Sequence, residues 1–227
     1  LRLWMYSVNQ PGESKNFDER TVDEQKKTLN LLDNVYSFYE LYRDTKLEAE
    51  LRFPKMDNVL DIWISARLSG LIDAITFDLD EYKILEPVRG LRDFIDDLST
   101  WYLRRSRDRL KEGDIQAKHT LYFVLKTVSK LLAPFAPFAA EELFQKLRGE
   151  KDEISVHLTQ WPDFNFGGPQ PISYMRRTRE LASLGLEARS KANIKVRQPL
   201  QKLKVKSLKL ECEYLELIKD EINVKEI

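Results

Sequence analysis

The sequence predicts a mainly α chain, an antiparallel helix bundle followed by a small mixed α/β element. Across residues 21–147, apolar side chains recur at every third or fourth position, the spacing of amphipathic helices. The connections between these runs are short, which favours antiparallel neighbours. A Pro- and Gly-rich stretch at 164–171 is expected to be the linker between the bundle and the tail.

Five helices are expected in the bundle, and capping residues mark several of their starts. Thr21 and Glu24 form a potential capping box, and Asp57 and Asp114 are candidate N-caps. Pro87 falls in the first turns of the third helix, where proline is tolerated. The adjacent acids Glu141 and Glu142 are expected to stabilise the first turn of the fifth helix. The expected helices are 21–44, 57–79, 82–102, 115–132 and 138–147.

The remaining segments complete the expected organisation. Two prolines within 133–137 must end or kink the fourth helix, 46–55 reads as a loop, and 154–158 alternates like an extended segment. The tail is expected to form a helix at 172–190, strands at 200–205 and 223–227, and a helix at 212–220. The expected domains are a connector at 1–20, a helical bundle at 21–163, and a basic α/β subdomain at 172–227. The chain begins and ends within patterns, so we expect a piece of a longer polypeptide.

Positive charge is concentrated in two places, although 37 Lys and Arg balance 37 Asp and Glu overall. Residues 172–206 carry ten cations against two anions, among them Lys191, Lys195 and Arg197. The other cluster follows two aromatic residues, Trp101 and Tyr102. It consists of Arg104, Arg105, Arg107 and Arg109.

Guanidinium groups beside aromatic rings suit RNA, which offers phosphates and flat bases. Two plainer interpretations stay open. The arginines could complement a helix C-terminus and pair with nearby aspartates, and the basic tail could be a solvated face. Trp101 and Tyr102 extend the apolar stripe of the third helix, so they are expected to pack in the core.

Several classes of site are disfavoured by composition. The chain has one cysteine and two histidines far apart, so neither a cysteine-ligated zinc site nor a positioned catalytic histidine is indicated. It has no phosphate-binding glycine motif and no apolar run long enough to span a membrane. No catalytic residue and no metal ligand is therefore predicted.

Motifs along nearly the whole chain resemble one family. They include the opening Leu1-Arg-Leu-Trp-Met-Tyr-Ser-Val-Asn-Gln-Pro-Gly, Asp61-Ile-Trp-Ile-Ser-Ala-Arg-Leu, Leu132-Ala-Pro-Phe-Ala-Pro-Phe, Ser155-Val-His-Leu and Ile194-Lys-Val-Arg-Gln-Pro-Leu. These segments are similar to the helical anticodon-binding region of class I aminoacyl-tRNA synthetases of the isoleucine, valine and leucine group. The isoleucyl members share the opening and the Ile194 motif, whereas valyl members typically end in a coiled coil that this chain lacks.

The resemblance implies a non-catalytic, tRNA-binding part of an isoleucine–tRNA ligase. It implies that the bundle docks along the inner side of tRNA(Ile) and grips the anticodon stem-loop. The catalytic and editing domains, with ATP and Mg, would lie upstream in the same cytoplasmic protein, and membership of a multi-synthetase assembly stays open. Arg104, Arg105, Arg107 and Arg109 are the expected backbone clamps, with Lys191, Lys195 and Arg197 as the second choice. The alternatives are the equivalent region of a valyl or leucyl enzyme, or a helical protein-interaction module derived from a synthetase.

Overall fold

The computed structural model describes residues 1–10, 12–14, 16–43, 56–205 and 210–227. Its contacts divide the chain into two units, Leu1–Phe166 and Gly167–Ile227, and each has its own core. The predicted fold class is confirmed, since the first unit is helical and the second combines helices with a two-stranded sheet. The loop predicted at 46–55 and the cation Lys206 lie outside the described residues.

The first unit is built from helices that pack around shared apolar faces. Helix α3 contacts α4 and α6, α2 lies against the same two helices, and α6 packs along α7. Helix α1 packs on α4 and α2 and buries Leu3 and Trp4, so residues expected to form a connector contribute to this core. The helices are α1 (Arg2–Val8), α2 (Glu19–Tyr42), α3 (Val59–Asp80), α4 (Leu85–Asp96), α5 (Arg104–Lys111), α6 (Ile115–Leu132) and α7 (Pro137–Leu147).

Two of the three predicted helix caps are wrong by a few residues. Helix α2 begins at Glu19, and the Asp18 carboxylate, not Thr21, accepts the hydrogen bond from the backbone N–H of Arg20. Helix α3 is capped by Asn58, whose side chain accepts from Leu60 N at 2.9 Å. Asp and Asn cap as well as Thr or better, so a polar residue nearer the helix start takes the role. The Asp114 cap of α6 is confirmed, with Ala117 N as donor at 3.1 Å.

The third predicted helix is interrupted by a π-helical turn. Helix α4 ends at Asp96, and Asp97–Leu103 forms the π-helical turn before α5 begins. Three consecutive residues of the turn, Trp101, Tyr102 and Leu103, are buried, as expected for the two aromatics. On an α-helix they would cover about 200° of the surface at 3.6 residues per turn. A π-helix has more residues per turn, so each residue is rotated by a smaller angle relative to the one before it. The three side chains therefore span a smaller part of the surface, and all three face the core.

The prediction of an extended segment at 154–158 is wrong. Val156–Leu158 is a 3₁₀ turn, and Glu141 Oε2 accepts hydrogen bonds from Ser155 Oγ and Val156 N, both at 2.9 Å. Glu141 therefore links this segment to α7 by hydrogen bonds, instead of stabilising the first turn of α7 as the sequence predicted. Glu142 pairs instead with Lys146, one turn later, at 2.8 Å.

The linker is shorter than predicted. The Phe164 ring packs against Phe123 with centroids 4.8 Å apart, and Phe166 N donates to Ser69 Oγ at 3.1 Å, so these residues belong to the first unit. Helix α8 begins at Pro169, inside the stretch expected to be unstructured. Proline fits there because the first helical turn needs no donor from it.

The second unit consists of two helices and a small parallel sheet. Helix α8 packs on α9, and strand β1 pairs with β2 in the register Leu200↔Val224. Both strands are shorter than predicted. Ile218 and Ile222 are buried in the core of this unit, on which Leu200 and Leu203 pack. The elements are α8 (Pro169–Lys191), β1 (Leu200–Lys202), α9 (Cys212–Ile222) and β2 (Val224–Glu226).

Candidate nucleic-acid interface

Trp101 carries two arginine side chains on its ring. The guanidinium carbons of Arg104 and Arg105 lie 5.5 and 5.1 Å from the ring centroid, which is the range of a cation–π contact. Arg104 Nε also donates to Thr100 O at 2.9 Å. The indole itself is 7% exposed, which confirms its assignment to packing. Trp101 therefore positions two cations, and the planar N–H fork of a stacked guanidinium suits two-point binding of a phosphate.

Arg107 is exposed and extends toward α2. Its guanidinium carbon lies 5.5 Å from the ring centroid of Phe38, which packs on Tyr42 with centroids 5.1 Å apart. Arg104 and Arg107 are three residues apart on α5, so they share one side of that helix. Both therefore present their charge to solvent while an aromatic surface limits their conformational freedom.

Arg109, which the sequence also predicts to clamp RNA, is less exposed than Arg104 and Arg107 and makes internal ion pairs. Its Nη1 and Nη2 donate to the two oxygens of Asp61 at 3.1 and 2.7 Å, and its Nε donates to Asp114 at 2.8 Å. Asp61 is fully buried and also accepts from the Tyr102 hydroxyl at 2.8 Å. The Arg109 guanidinium thus joins α3, α5 and the cap of α6, and three of its five N–H groups donate to internal carboxylates.

The pKa values of this network report a charged internal cluster. Burial raises the pKa of Tyr102 well above its ordinary value, and the Asp61 carboxylate acts in the same direction. Burial alone would lower the pKa of Arg109, but the hydrogen bonds and charge of Asp61 outweigh it and raise that pKa. Burial also opposes ionisation of Asp114, yet the Ala117 N–H and Arg109 lower its pKa. Tyr102 therefore stays neutral and Asp114 stays ionised near neutral pH.

A lysine that the sequence reasoning missed borders a cavity elsewhere in the first unit. Lys130 is half-buried in the last turn of α6, and burial lowers its pKa, with Lys126 adding to the effect. The cavity, of about 220 Å³, is also lined by Pro134, His157 and Trp161, and the Trp161 indole is fixed by a 2.8 Å hydrogen bond to Thr76. No run of basic residues marks this position, so only the folded chain reveals it.

The basic residues of the second unit divide into paired and unpaired groups. Lys191 pairs with Glu187 at 2.6 Å, although both side chains are largely exposed. Lys195 and Arg197 are exposed and make no side-chain hydrogen bond or ion pair with any residue that the structure describes. They belong to a four-residue turn closed by the bond from Gln198 N to Lys195 O at 3.0 Å. These two cations are therefore available to an anionic partner.

Arg189 is not part of the basic surface that its sequence position predicted. It is 4% exposed, and its Nε, Nη1 and Nη2 donate to the carbonyls of Ile222, Lys195 and Asn223 at 2.7, 3.1 and 2.8 Å. These carbonyls lie where α9 ends and where the turn begins. A cation is favourable there because helix C-termini carry partial negative charge.

Other kinds of site find no support in the part of the chain that the structure describes. Within those residues, His, Cys, Asp and Glu side chains do not gather in groups that could hold a metal ion. Each helix there is too short or too polar to cross a bilayer.

Comparison with known proteins assigns the family. The family model described as the anticodon-binding domain of tRNA ligase matches residues 61–205. Across all of its length the chain is 40% identical to an isoleucine–tRNA ligase of Clostridium novyi and 37% identical to one of Deinococcus radiodurans. It spans 23% and 22% of those two proteins.

A solved structure supports the fold independently. The LeuRS of Agrobacterium radiobacter, in a ternary complex with tRNA and LeuAMS, superposes on 72% of this chain and 19% of its own, with a TM-score of 0.52 and 15% identity. At that identity the likeness concerns the fold alone. Since the family model covers more than half of the residues, the chain belongs to the anticodon-binding domain family of tRNA ligases.

Proposed function

We propose that this chain is the anticodon-binding region of an isoleucine–tRNA ligase and that it binds tRNA(Ile). The similarity of the whole chain to isoleucine–tRNA ligases carries the proposal. The longer protein would ligate isoleucine to tRNA(Ile) with ATP and Mg, and would edit errors, through other domains. Its place would be the cytoplasm, and a multi-synthetase assembly is a further candidate partner.

Five cations support RNA binding as the activity of the region itself. Arg104, Arg105 and Arg107 are held against aromatic rings, and Lys195 and Arg197 have no internal partner among the described residues. An A-form stem is gripped through phosphates and 2′-hydroxyls, and loop bases are available for stacking. In this proposal the five side chains bind the RNA backbone, whereas Arg109 and Arg189 maintain the fold.

The test is a filter-binding titration of the 227-residue chain with tRNA(Ile) and non-cognate transcripts at two salt concentrations. The logarithm of the binding constant falls linearly with the logarithm of the salt concentration. Each lost phosphate contact reduces the magnitude of this slope by about 0.7 to 0.9. Arg104→Gln with Arg105→Gln is therefore expected to lower both affinity and slope. The matched control is Arg89→Gln with Arg92→Gln, which removes two exposed arginines from α4 and is expected to change little.

Two outcomes contradict the proposal. Affinity that does not change with salt and does not distinguish tRNA from other RNA would favour the protein-interaction module. A chain that prefers a valine or leucine tRNA would instead favour the equivalent region of those enzymes.

A further inference from the structure

The turn at Lys195–Gln198 lacks the residues that usually specify a turn. Its central positions are Val196 and Arg197, whereas Gly, Pro, Asn, Asp and Ser dominate turns. The bond from Gln198 N to Lys195 O closes it, yet the local sequence gives this conformation little intrinsic preference. The shape of the turn must therefore be stabilised by contacts from elsewhere in the second unit.

Arg189 supplies the first of these contacts from beneath the turn. Its Nη1 donates to Lys195 O, while Nε and Nη2 donate to the carbonyls of Ile222 and Asn223 at the end of α9. One planar guanidinium thus fixes the first residue of the turn to the helix end. Lysine has a single flexible ammonium and cannot reproduce a fork that reaches three carbonyls.

Asn223 supplies the second contact. Its backbone is left-handed, with φ 52°, a conformation that asparagine tolerates better than most residues. Its Nδ2 donates to Val196 O at 2.9 Å, and its own carbonyl accepts from Leu200 N at 3.1 Å. Two successive carbonyls of the turn are therefore bound from the inside, one by Arg189 and the other by Asn223.

We propose that Arg189 and Asn223 are positioning residues that hold the Lys195–Gln198 turn in the shape that presents Lys195 and Arg197 to RNA phosphates. This inference rests on the proposed RNA-binding function. The turn points its charged side chains to solvent, where Val196 is also 46% exposed. The side chains of Arg189 and Asn223 donate hydrogen bonds to main-chain carbonyls. They can therefore set the shape of the turn without contacting the RNA themselves. Because the turn is already ordered, binding a phosphate sacrifices less conformational freedom than ordering a flexible loop.

The experiment is a double-mutant cycle on the 227-residue chain with a tRNA(Ile) transcript as the probe. Arg189→Lys keeps the charge and removes the fork, and Asn223→Gly keeps the left-handed backbone and removes the amide. Each is measured alone and combined with Lys195→Gln plus Arg197→Gln. The change at Lys195 and Arg197, the outer pair, is expected to lower the slope of log affinity against log salt concentration by about 0.7 to 0.9 per cation. Each inner variant is expected to weaken binding about three- to tenfold alone and to add almost nothing when the outer pair is absent.

A purely structural role predicts a different pattern. An unfolding defect would lower affinity by the same factor with or without the outer cations, and that result would overturn the inference. Arg176→Gln plus Arg177→Gln is the control, because it removes two exposed cations of α8 and its effect should simply add to that of Arg189→Lys. Circular dichroism and thermal unfolding confirm folding of every variant, and Asn223→Gly provides the test if Arg189→Lys does not fold.

The failure of this inference can be told from the failure of the proposed function. If the outer pair has no effect while Arg104→Gln with Arg105→Gln weakens binding, RNA binding stands and the role of the turn is wrong. If the unsubstituted chain does not bind tRNA, the function itself is wrong.

Discussion

Arg109 and Asp61 form a two-point ion pair across the first unit, with the carboxylate fully buried and the guanidinium side chain 20% exposed. Asp61 lies on α3 and Arg109 on α5, and Tyr102 from the π-helical turn donates to the same carboxylate. Pairing satisfies both oxygens of a group that would be costly to bury alone. Arg109 therefore has a structural role in the first unit.

Replacing Arg109 by methionine is expected to destabilise the chain by about 3–5 kcal/mol, because it leaves the Asp61 carboxylate buried without its partner. Chemical denaturation at neutral pH measures this change. Asp61→Asn in the same chain should restore part of the loss, since it removes the unpaired charge. A loss below about 1 kcal/mol would show that the pair contributes little, as surface ion pairs do.

Arginine-selective chemical modification, read by mass spectrometry, should separate the exposed guanidiniums from the internal ones. Arg104 and Arg107 are exposed and are expected to react. Arg109 and Arg189 each donate three hydrogen bonds to internal oxygens and should react slowly. Adding tRNA(Ile) is expected to protect the first two. Equal rates at all four residues would contradict the assignment of roles, and protection at Arg109 alone would reverse it.

The ion pair between Lys126 and Asp152 predicts a loss of stability in acid. Burial would raise the pKa of Asp152, but hydrogen bonds from Lys126 and Gly149 N outweigh it and lower that pKa. A carboxylate with a lowered folded-state pKa stabilises the fold above its ordinary value of about 3.9 and loses that contribution as pH falls through the folded value. Asp152→Asn should therefore cost stability at neutral pH and progressively less below about pH 4.

Denaturation curves at several pH values check this expectation. The matched control is Asp163→Asn, which removes an exposed carboxylate from the same unit. A stability difference between the chain and Asp152→Asn that stays constant from neutral to acid pH would disprove the linkage.

Helix packing in the second unit depends on the absence of a side chain at residue 185. A Cβ placed on Gly185 would lie 2.8 Å from Ile222 Cγ2, and Ile222 is buried. Gly185→Ala is therefore expected to cost about 1–3 kcal/mol through overpacking. Gly70→Ala is the matched control, since that position on α3 has open space and alanine favours helices, so a gain of about 0.4–1 kcal/mol is expected. Thermal unfolding measures both changes, and equal effects would contradict the packing argument.

The helices were predictable because their signal is local and repeated. Apolar spacing identified helices α2, α3, α4, α6 and α7 but not the separate helix α5, and the Asp114 cap follows from a single residue at a clear boundary. Their starts were less predictable, since Asp18 and Asn58 compete with nearby polar residues for the same donors. The 3₁₀ turn at Val156–Leu158 was missed because it depends on Glu141, which lies in another helix.

The candidate interface was predictable as a cluster of charge and not as a geometry. The sequence brings Arg104, Arg105 and Arg107 together, but it gives no sign that Arg109 pairs with an aspartate 48 residues earlier. Arg189 likewise counts as a basic surface residue until its three carbonyl partners are known. Charge density is a property of a segment, whereas the distinction between binding and structural cations depends on contacts between distant segments.

The π-helical turn at Asp97–Leu103 has a consequence for comparing this chain with its relatives. Each residue of an α-helix rotates the next by about 100°, so an added or missing residue before α5 redirects every side chain that follows. A relative with one residue fewer in this stretch can close an ordinary α turn and keep its α5 in place. A sequence alignment that misplaces that gap within α5 would then match Arg109 with a solvent-facing residue of the relative. A residue that stabilises the fold would be mistaken for one that contacts the ligand.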